Sequence, residues 1–369
     1  MAFKNKRYTS QQLWYYTRRA IWILLAWSLI SLLLFFYEYK TLEVEGALTS
    51  AYDFKSAFTA NLIVALSAGL IGGIFTVNVM EIWLRKYAFW KALTLIIIAY
   101  TITAIIVSLL GATYLSSQNL GLPLTDPEVF EESLFFFGTW MFVKNFVIWL
   151  AIVIVTLIVL MVNQKYGPGV FPDYLMGRYF LPKLERRIFM FADIKDATTI
   201  AEELGEEKYF YFLKDFFRDV SSAIVQTRGE VYQYVGDEVV VSWKMKNGLK
   251  NGNAVRCYFQ MKESIQAKKQ RYLDKYGYLP EFKVGLHFGN VMVGEIGQDK
   301  REIVFSGDVL NTAARIVAKC NHLGVEILGS ESFANVAYIL PKGVVKKGMG
   351  EEKLKGKAEE IGLFTFIKN

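Results

Sequence analysis

Four stretches free of charged residues, Ala20–Tyr37, Ala57–Met80, Ala92–Tyr114 and Asn145–Asn163, fill much of the first half of this chain. Each is close to the roughly 20 residues that a helix needs to cross a bilayer. Arg18 and Arg19 precede the first stretch and Glu38 follows it. It lacks a small-residue cleavage site, and three more spans follow, so it reads as a retained span and not as a removed signal peptide. The chain has 369 residues, enough for about two domains, and its 53% hydrophobic content is concentrated in these spans.

Lys and Arg in the short flanks set the orientation. Lys4, Lys6, Arg7, Arg18 and Arg19 lie before the first span, and Arg85, Lys86 and Lys91 lie between the second and third. The other two links are acidic on balance, with Glu38, Glu43, Glu45 and Asp53 in one and Asp126, Glu128, Glu131 and Glu132 in the other. The N-terminus, the middle link and the C-terminal half are therefore expected in the cytoplasm of a multi-pass cell-membrane protein. The net charge of +7 fits membrane-proximal basic residues meeting anionic headgroups. No basic run with interleaved aromatics appears, so the lipid bilayer and not nucleic acid is the expected partner.

None of the four spans contains His, Asp, Glu, Lys or Arg. That argues against haem ligation by histidine and against an ion or proton path. Gly69, Gly72, Gly73 and Gly111 allow close helix packing. Asn61 and Asn78 are the few polar handles of the second span, and Lys144 reads as an interfacial anchor. This region is either a passive four-helix anchor or a receptor for an unidentified membrane or extracytoplasmic ligand. The outer link Ser116–Trp140, with Pro123 and Pro127, is long enough for a small binding surface.

Gly167, Pro168, Gly169, Pro172, Gly177 and Pro182 punctuate the junction from Gln164 to Lys183. The expected organisation is therefore a transmembrane domain over 1–163, a short connector over 164–186 and a second domain over 187–369. Cys257 and Cys320 have no CxxC spacing and read as reduced, packed side chains.

The second domain opens on an apolar run, Ile188–Ala192, read as a buried strand that delivers Asp193 at its end. Thr199 with Glu202 three positions on gives a capping-box pattern, so a helix is expected to open at Thr199, with Thr198 and Thr199 as candidate substrate-binding residues at its start. A strand-end carboxylate offers a hard oxygen to Mg²⁺, and the free N–H groups of a helix start suit phosphate. A long amphipathic helix over Thr199–Thr227 should follow, then a hairpin over Glu230–Trp243. Val231, Gln233 and Val235 would share one face of that hairpin, with Gly236-Asp237 at its turn. Asp237 is thus a second strand-end carboxylate. A helix over Asn251–Tyr276 and a glycine-rich strand pair over Glu281–Gly297 come next, with His287 read as structural. Then Ile303–Arg315 implies a strand, a Gly-Asp turn and a helix. Asn311 and Arg315, four apart, share a face of that helix and could orient a hydroxyl and stabilise phosphate charge. A strand over Val325–Leu328 and a closing hairpin carrying Lys353, Lys355 and Lys357 around Gly356 complete the chain.

Phe191-Ala-Asp-Ile, Tyr234-Val-Gly-Asp, Gly285-Leu-His-Phe-Gly and Gly307-Asp-Val-Leu-Asn-Thr-Ala-Ala-Arg occur in an order and spacing that resemble the class III nucleotidyl cyclase catalytic domain. The resemblance covers about Arg187 to Phe366. It implies a ferredoxin-like α+β core behind the four-helix transmembrane domain, working as a head-to-tail homodimer with two equivalent interface sites. Asp193 and Asp237, with the Ile194 carbonyl, resemble the ligands of two Mg²⁺ or Mn²⁺ ions per site. Asn311 and Arg315 look like the pair that positions the ribose and steadies the transition state from the other protomer. Lys355 resembles the lysine on the triphosphate. The reaction implied is attack of the ribose 3′-hydroxyl on the α-phosphate, which releases pyrophosphate and a cyclic nucleotide.

Two positions depart from the family. Asp196-Ala-Thr stands where Gly-Phe-Thr or Gly-Ser-Thr is usual, placing an extra carboxylate near the expected triphosphate. Gln233 and Val304 occupy the purine-selecting positions and match neither the adenylate nor the guanylate pattern. A Gln amide both donates and accepts, and Val offers only shape. The expectation is an adenylate cyclase using ATP. A guanylate cyclase and a catalytically silent cyclase-like module are the alternatives. The Asn-x-x-x-Arg helix disfavours a diguanylate cyclase, which lacks it.

Overall fold

The computed structural model describes residues 10–48, 52–78, 89–166, 176–299, 301–357 and 359–368. It divides into two compact units, Met1–Met161 and Val162–Asn369. Lys4, Lys6, Arg7, Arg85, Lys86 and the Gly167–Pro172 part of the junction lie outside the described residues.

The first unit consists of long helices: α1 (Ser10–Val44), α2 (Phe54–Asn78), α3 (Phe89–Leu120), the short α4 (Pro127–Phe135) and α5 (Trp140–Tyr166). Four of them are long and apolar enough to cross a membrane, over Thr17–Val44, Phe54–Thr76, Thr94–Leu120 and Trp140–Val162. The first span runs past its uncharged stretch at both ends, and the other three extend past theirs at one end and stop short at the other. Trp27 anchors the interior: its ring lies 5.9 Å from Trp149 and 6.1 Å from Tyr100, and its indole N–H donates to Thr156 Oγ1 at 3.1 Å. The α1–α2 contact is close. A Cβ on Gly73 would stand 2.8 Å from the Ala20 carbonyl, so only glycine fits there. Lys144, expected as an interfacial anchor, donates to Glu38 at 2.6 Å. The outer link carries the short helix α4. Asp126 caps α4, accepting from the Glu128 N–H.

The second unit is an α+β domain. Its strands are β1 (Lys183–Ile194), β2 (Glu230–Val235), β3 (Glu238–Lys244), β4 (Phe282–Ile296), β5 (Glu302–Ser306), β6 (Ile327–Ser330), β7 (Val344–Lys353) and β8 (Glu360–Lys368). They form one sheet in the order β2-β3-β1-β4-β6-β8-β7, with β5 paired to β4. β4 and β6 run parallel, and the remaining pairs are antiparallel. Its helices are α6 (Ala197–Leu204), α7 (Glu206–Gln226), α8 (Met245–Leu249), α9 (Asn253–Gln266), α10 (Lys269–Tyr276), α11 (Asp308–His322) and α12 (Glu331–Val336). Ile188, Met190 and Ala192 of β1 face a core with Phe212 and Phe216 of α7 and Met261 of α9. Phe189 and Phe191 face the opposite core with Val309, Ala313 and Val317 of α11. Helices therefore cover both faces of a central strand, and β1 is buried on both sides over Ile188–Ala192, which is why that run is continuously apolar.

Several elements differ from the expected ones. The helix expected from Thr199 to Thr227 breaks at Gly205, whose φ of 73° no helix interior adopts. The helix expected over Asn251–Tyr276 starts at Asn253 and is interrupted between Gln266 and Lys269. The expected strand pair over Glu281–Gly297 is a single strand, β4, with 15 residues. Its glycines serve packing and not a turn: a Cβ on Gly285 would fall 2.5 Å from the Val317 backbone nitrogen. The strand expected over Val325–Leu328 lies instead at Ile327–Ser330. Both cysteines are buried free thiols.

Arg187 is the least expected core residue, with 2% of its surface exposed. Its guanidinium donates to Glu185 at 2.7 Å, Glu230 at 2.8 Å and Ser242 at 3.0 Å, and it lies 4.6 Å from the centre of the Phe305 ring. It ties β1 to β2 and β3 beneath the hairpin that carries Asp237. Arg187→Met leaves two carboxylates facing each other without their cation and should cost about 3 kcal/mol of stability. A lowered melting temperature of the full-length protein in detergent checks this; an unchanged melt would contradict it.

Candidate active site

β1 and the β2–β3 turn bring two carboxylates together. Asp193 pairs with Glu238 across β1 and β3, so Asp237, one residue earlier in the turn, lies beside it. Burial, and then the neighbouring Asp237, pushes the Asp193 carboxyl above its ordinary range. Lys283 on β4 opposes this rise, with its Nζ 3.2 Å from Asp193 Oδ2 and only 11% of its side chain exposed. Glu238 is pushed up to about 7, first by burial and then by the Asp193 and Asp237 charges. Tyr209 on α7 faces the same cluster, and burial with both aspartates moves its hydroxyl up to about 12. Three carboxyl groups thus share one end of the sheet with one ion-paired lysine among the groups described.

The crowding has a stability consequence. Glu238 binds its proton more tightly in the folded chain than its ordinary value near 4.5 implies. Stability is therefore lost as pH rises from about 4.5 through about 7, and the penalty is fully present above that window. After allowance for solvent screening, Glu238→Gln should stabilise the metal-free protein by about 1 kcal/mol at pH 8 and by nothing at pH 4.5. Melting curves at the two pH values read this directly. Equal shifts at both would show that the Glu238 charge is not the cause.

Ile194 closes β1 beside Asp193, with its side chain buried. The helix after it begins at Ala197 and not at Thr199. Asp196 takes the capping position in a left-handed conformation, φ 55°, and makes no side-chain cap bond. The capping box of Thr199 and Glu202 is therefore not formed. Thr198 and Thr199 sit exposed in the first turn, and Asp196 is exposed as well.

α11 carries the second group. Val309, Thr312, Ala313, Ile316 and Val317 of this helix are buried, which leaves Asn311 exposed and Arg315 half-buried on its other side. The β7–β8 turn reaches the same helix. Lys357 pairs with Asp308 at the helix start, and a Cβ on Gly356 would stand 3.4 Å from the Arg315 guanidinium. Lys355, exposed in that turn, is thereby brought alongside Arg315. Lys357 also holds the Asp308 carboxyl below its ordinary range, first through their hydrogen bond. Asp308 and Lys357 carry no sequence signal of this contact, because 49 residues separate them.

The alternation of β1 puts Asp193 on the same sheet face as Phe189, Phe191 and α11. Even so, no hydrogen bond or ion pair among the described residues joins Asp193 or Asp237 to Asn311, Arg315 or Lys355. One chain presents an acidic group and a basic group, separately.

The sequence neighbours of Gln233 and Val304 are in contact with each other. Tyr232 of β2 and Phe305 of β5 meet with ring centres 4.8 Å apart, and the Phe305 N–H donates to the Tyr232 hydroxyl. Gln233 is exposed and Val304 half-buried beside them. A register shift between Val231 and Gln233 breaks the simple alternation expected for β2. His287 is engaged structurally: burial depresses it to about 4, and Nδ1 lies 2.6 Å from Ser330 Oγ.

This is an α+β domain whose strand ends gather carboxylates and whose helix face gathers cations, and comparison with known proteins identifies its class. The adenylate and guanylate cyclase catalytic domain model matches residues 183–367, half of the chain. The chain belongs to that family. It is 31% identical over 208 residues to adenylate cyclase 2 of Rhizobium meliloti (strain 1021), covering 56% of this chain and 57% of that protein. It is 29% identical over 184 residues to adenylate cyclase 1 of the same organism, covering 48% of this chain and 27% of that protein. The chain thus spans little more than half of the first curated relative and much less of the second. Among solved structures, a bacterial light-regulated adenylyl cyclase superposes with a TM-score of 0.49 at 22% identity, over 58% of this chain and 63% of that one.

Proposed function

We propose that the protein is a membrane-bound adenylate cyclase that converts ATP to 3′,5′-cyclic AMP and pyrophosphate at sites shared by two copies of the chain. The observation that carries this reading is the meeting of Asp193 and Asp237, residues far apart in sequence, with Lys283 beside them to offset part of their charge. Hard carboxylate oxygens packed this closely fit divalent cations such as Mg²⁺ or Mn²⁺. No group of three or more His, Cys, Asp or Glu side chains among the described residues forms a self-sufficient cage. Asp193, Asp237 and the Ile194 carbonyl would hold the ions together with oxygens of the nucleotide. Bound there, such ions activate the 3′-hydroxyl and neutralise the departing pyrophosphate.

The chain's own residues do the positioning. Asn311 orients the ribose, and Arg315 meets charge that develops on the α-phosphate. Lys355 holds the triphosphate beside Arg315. These three come from the partner protomer, because within one chain they do not reach the aspartates. A homodimer then has two equivalent sites. The flanking Lys and Arg residues support a cytoplasmic N-terminus and cyclase domain.

Adenine as the base rests on the relatives, since the two bacterial proteins above are named adenylate cyclases. Gln233 and Val304 do not select a purine by themselves. Purified full-length protein supplied with ATP and GTP side by side, with product identification, decides the matter. Cyclic AMP alone supports the reading, cyclic GMP alone makes the protein a guanylate cyclase, and no product from either makes it a silent module.

A further inference from the structure

Within the membrane unit, helices α1, α2, α3 and α5 enclose a cavity of about 490 Å³. That volume lies in the range of sites for a single small organic molecule. Rings of Trp27, Phe35 and Trp149 line it, and no Lys, Arg or His lies among its lining residues. Glu38 and Asp53 line it too, but neither carboxylate is free. Glu38 accepts from Lys144 at 2.6 Å, and Asp53 accepts from the N–H groups of Ser56 at 3.0 Å and Lys55 at 3.3 Å. A bound anion would find no cation, and a bound ammonium would find only carboxylates already occupied.

One polar group in this wall is unused. Asn61 accepts a hydrogen bond from Ser31 through Oδ1 at 2.9 Å, while its buried Nδ2 has no partner. Leaving a buried amide donor unpaired is unfavourable, because it has lost water and gained no acceptor. A transmembrane span keeps such a residue most readily where something completes its bonding. Asn61 lines the cavity, so a turn of its side chain brings this almost fully buried donor to an occupant.

We infer that this cavity is a binding site for one uncharged, mainly apolar molecule carrying an acceptor oxygen, such as a carbonyl, which takes the Asn61 Nδ2 hydrogen. The aromatic walls bury its apolar body. The site stands independently of the cyclase reading.

The probe is tritiated 2-decanone, an uncharged ketone that accepts but does not donate. Full-length protein in nanodiscs of a single phosphatidylcholine should take it up saturably, one per chain, beyond protein-free nanodiscs. Decane, of equal chain length without the oxygen, should compete poorly. Asn61→Leu should weaken uptake about fivefold, the loss of one neutral hydrogen bond. Ala104→Phe, which fills the cavity, should abolish it. Unchanged helix content by circular dichroism shows that each variant is folded; if one fails to reconstitute, the ketone-against-alkane comparison on the wild-type protein decides alone. Uptake equal to that of protein-free nanodiscs, competition by decane as strong as by unlabelled ketone, or folded Asn61→Leu that binds like wild type would each overturn the assignment.

Discussion

Asp193→Asn and Asp237→Asn should each lower cyclic-nucleotide formation by about 10³-fold or more, a loss of roughly 4 kcal/mol of transition-state stabilisation. Each substitution keeps the shape of the side chain and removes one of the negative oxygens that a divalent cation needs. The same change relieves like-charge crowding. Asp193 is held above its ordinary range by burial and by Asp237, and Glu238 sits beside both at about 7. The variants should therefore melt no lower than the wild type at pH 8, and Asp237→Asn should melt higher. Loss of activity with retained or raised stability separates a role in the reaction from a role in folding. A variant keeping a tenth of wild-type turnover would remove the assignment of its aspartate. A variant that lost activity only because it unfolded would show itself in the melt.

How much of this was readable beforehand depends on whether the signal is local. The apolar stretches predict α1, α2, α3 and α5 because a bilayer-length run of uncharged residues has few other uses. The Ile188–Ala192 run predicts β1, and Gly236-Asp237 predicts the hairpin turn, since both signals lie within a few residues. The helix break at Gly205 was not readable, because an isolated glycine in an amphipathic pattern is tolerated as often as it interrupts. The glycines of β4 were legible as positions of close backbone approach, but not what approaches them: α11 presses its backbone onto the strand, as between Gly285 and Val317. Nothing in the sequence marks Arg187 of β1 as a buried residue, since only folding supplies Glu185, Glu230 and Ser242 around it. Lys283 is similar. Its partner, Asp193, is a cross-strand neighbour that no sequence spacing reveals. The two aspartates were legible as strand ends, but their meeting was not, because it depends on the β1–β3 register.

The second large effect concerns the other half of the site. Arg315→Ala alone should depress the maximal rate by about 10²–10³-fold with little change in KM, since its charge is needed most when charge develops on the phosphate. Asp193→Ala alone should be as inactive as the asparagine variant. Mixed together, the two dead proteins should recover activity. A dimer of one Asp193→Ala chain and one Arg315→Ala chain has one site with both defects and one with neither. Random assortment makes about half of the dimers mixed, each with one intact site of two, so recovery should approach roughly a quarter of wild-type turnover. The expectation follows from the separation within one chain: Arg315 lies against Gly356 near Lys355, whereas Asp193 and Asp237 have Lys283 and Glu238 as neighbours. Co-expression with two different affinity tags, tandem purification and measurement of product formation provide the test. Tandem purification selects the mixed dimers, so recovery in that fraction should rise to about half. A mixed dimer as inactive as its parents would mean that each chain builds its site alone, and the shared site would have to be abandoned.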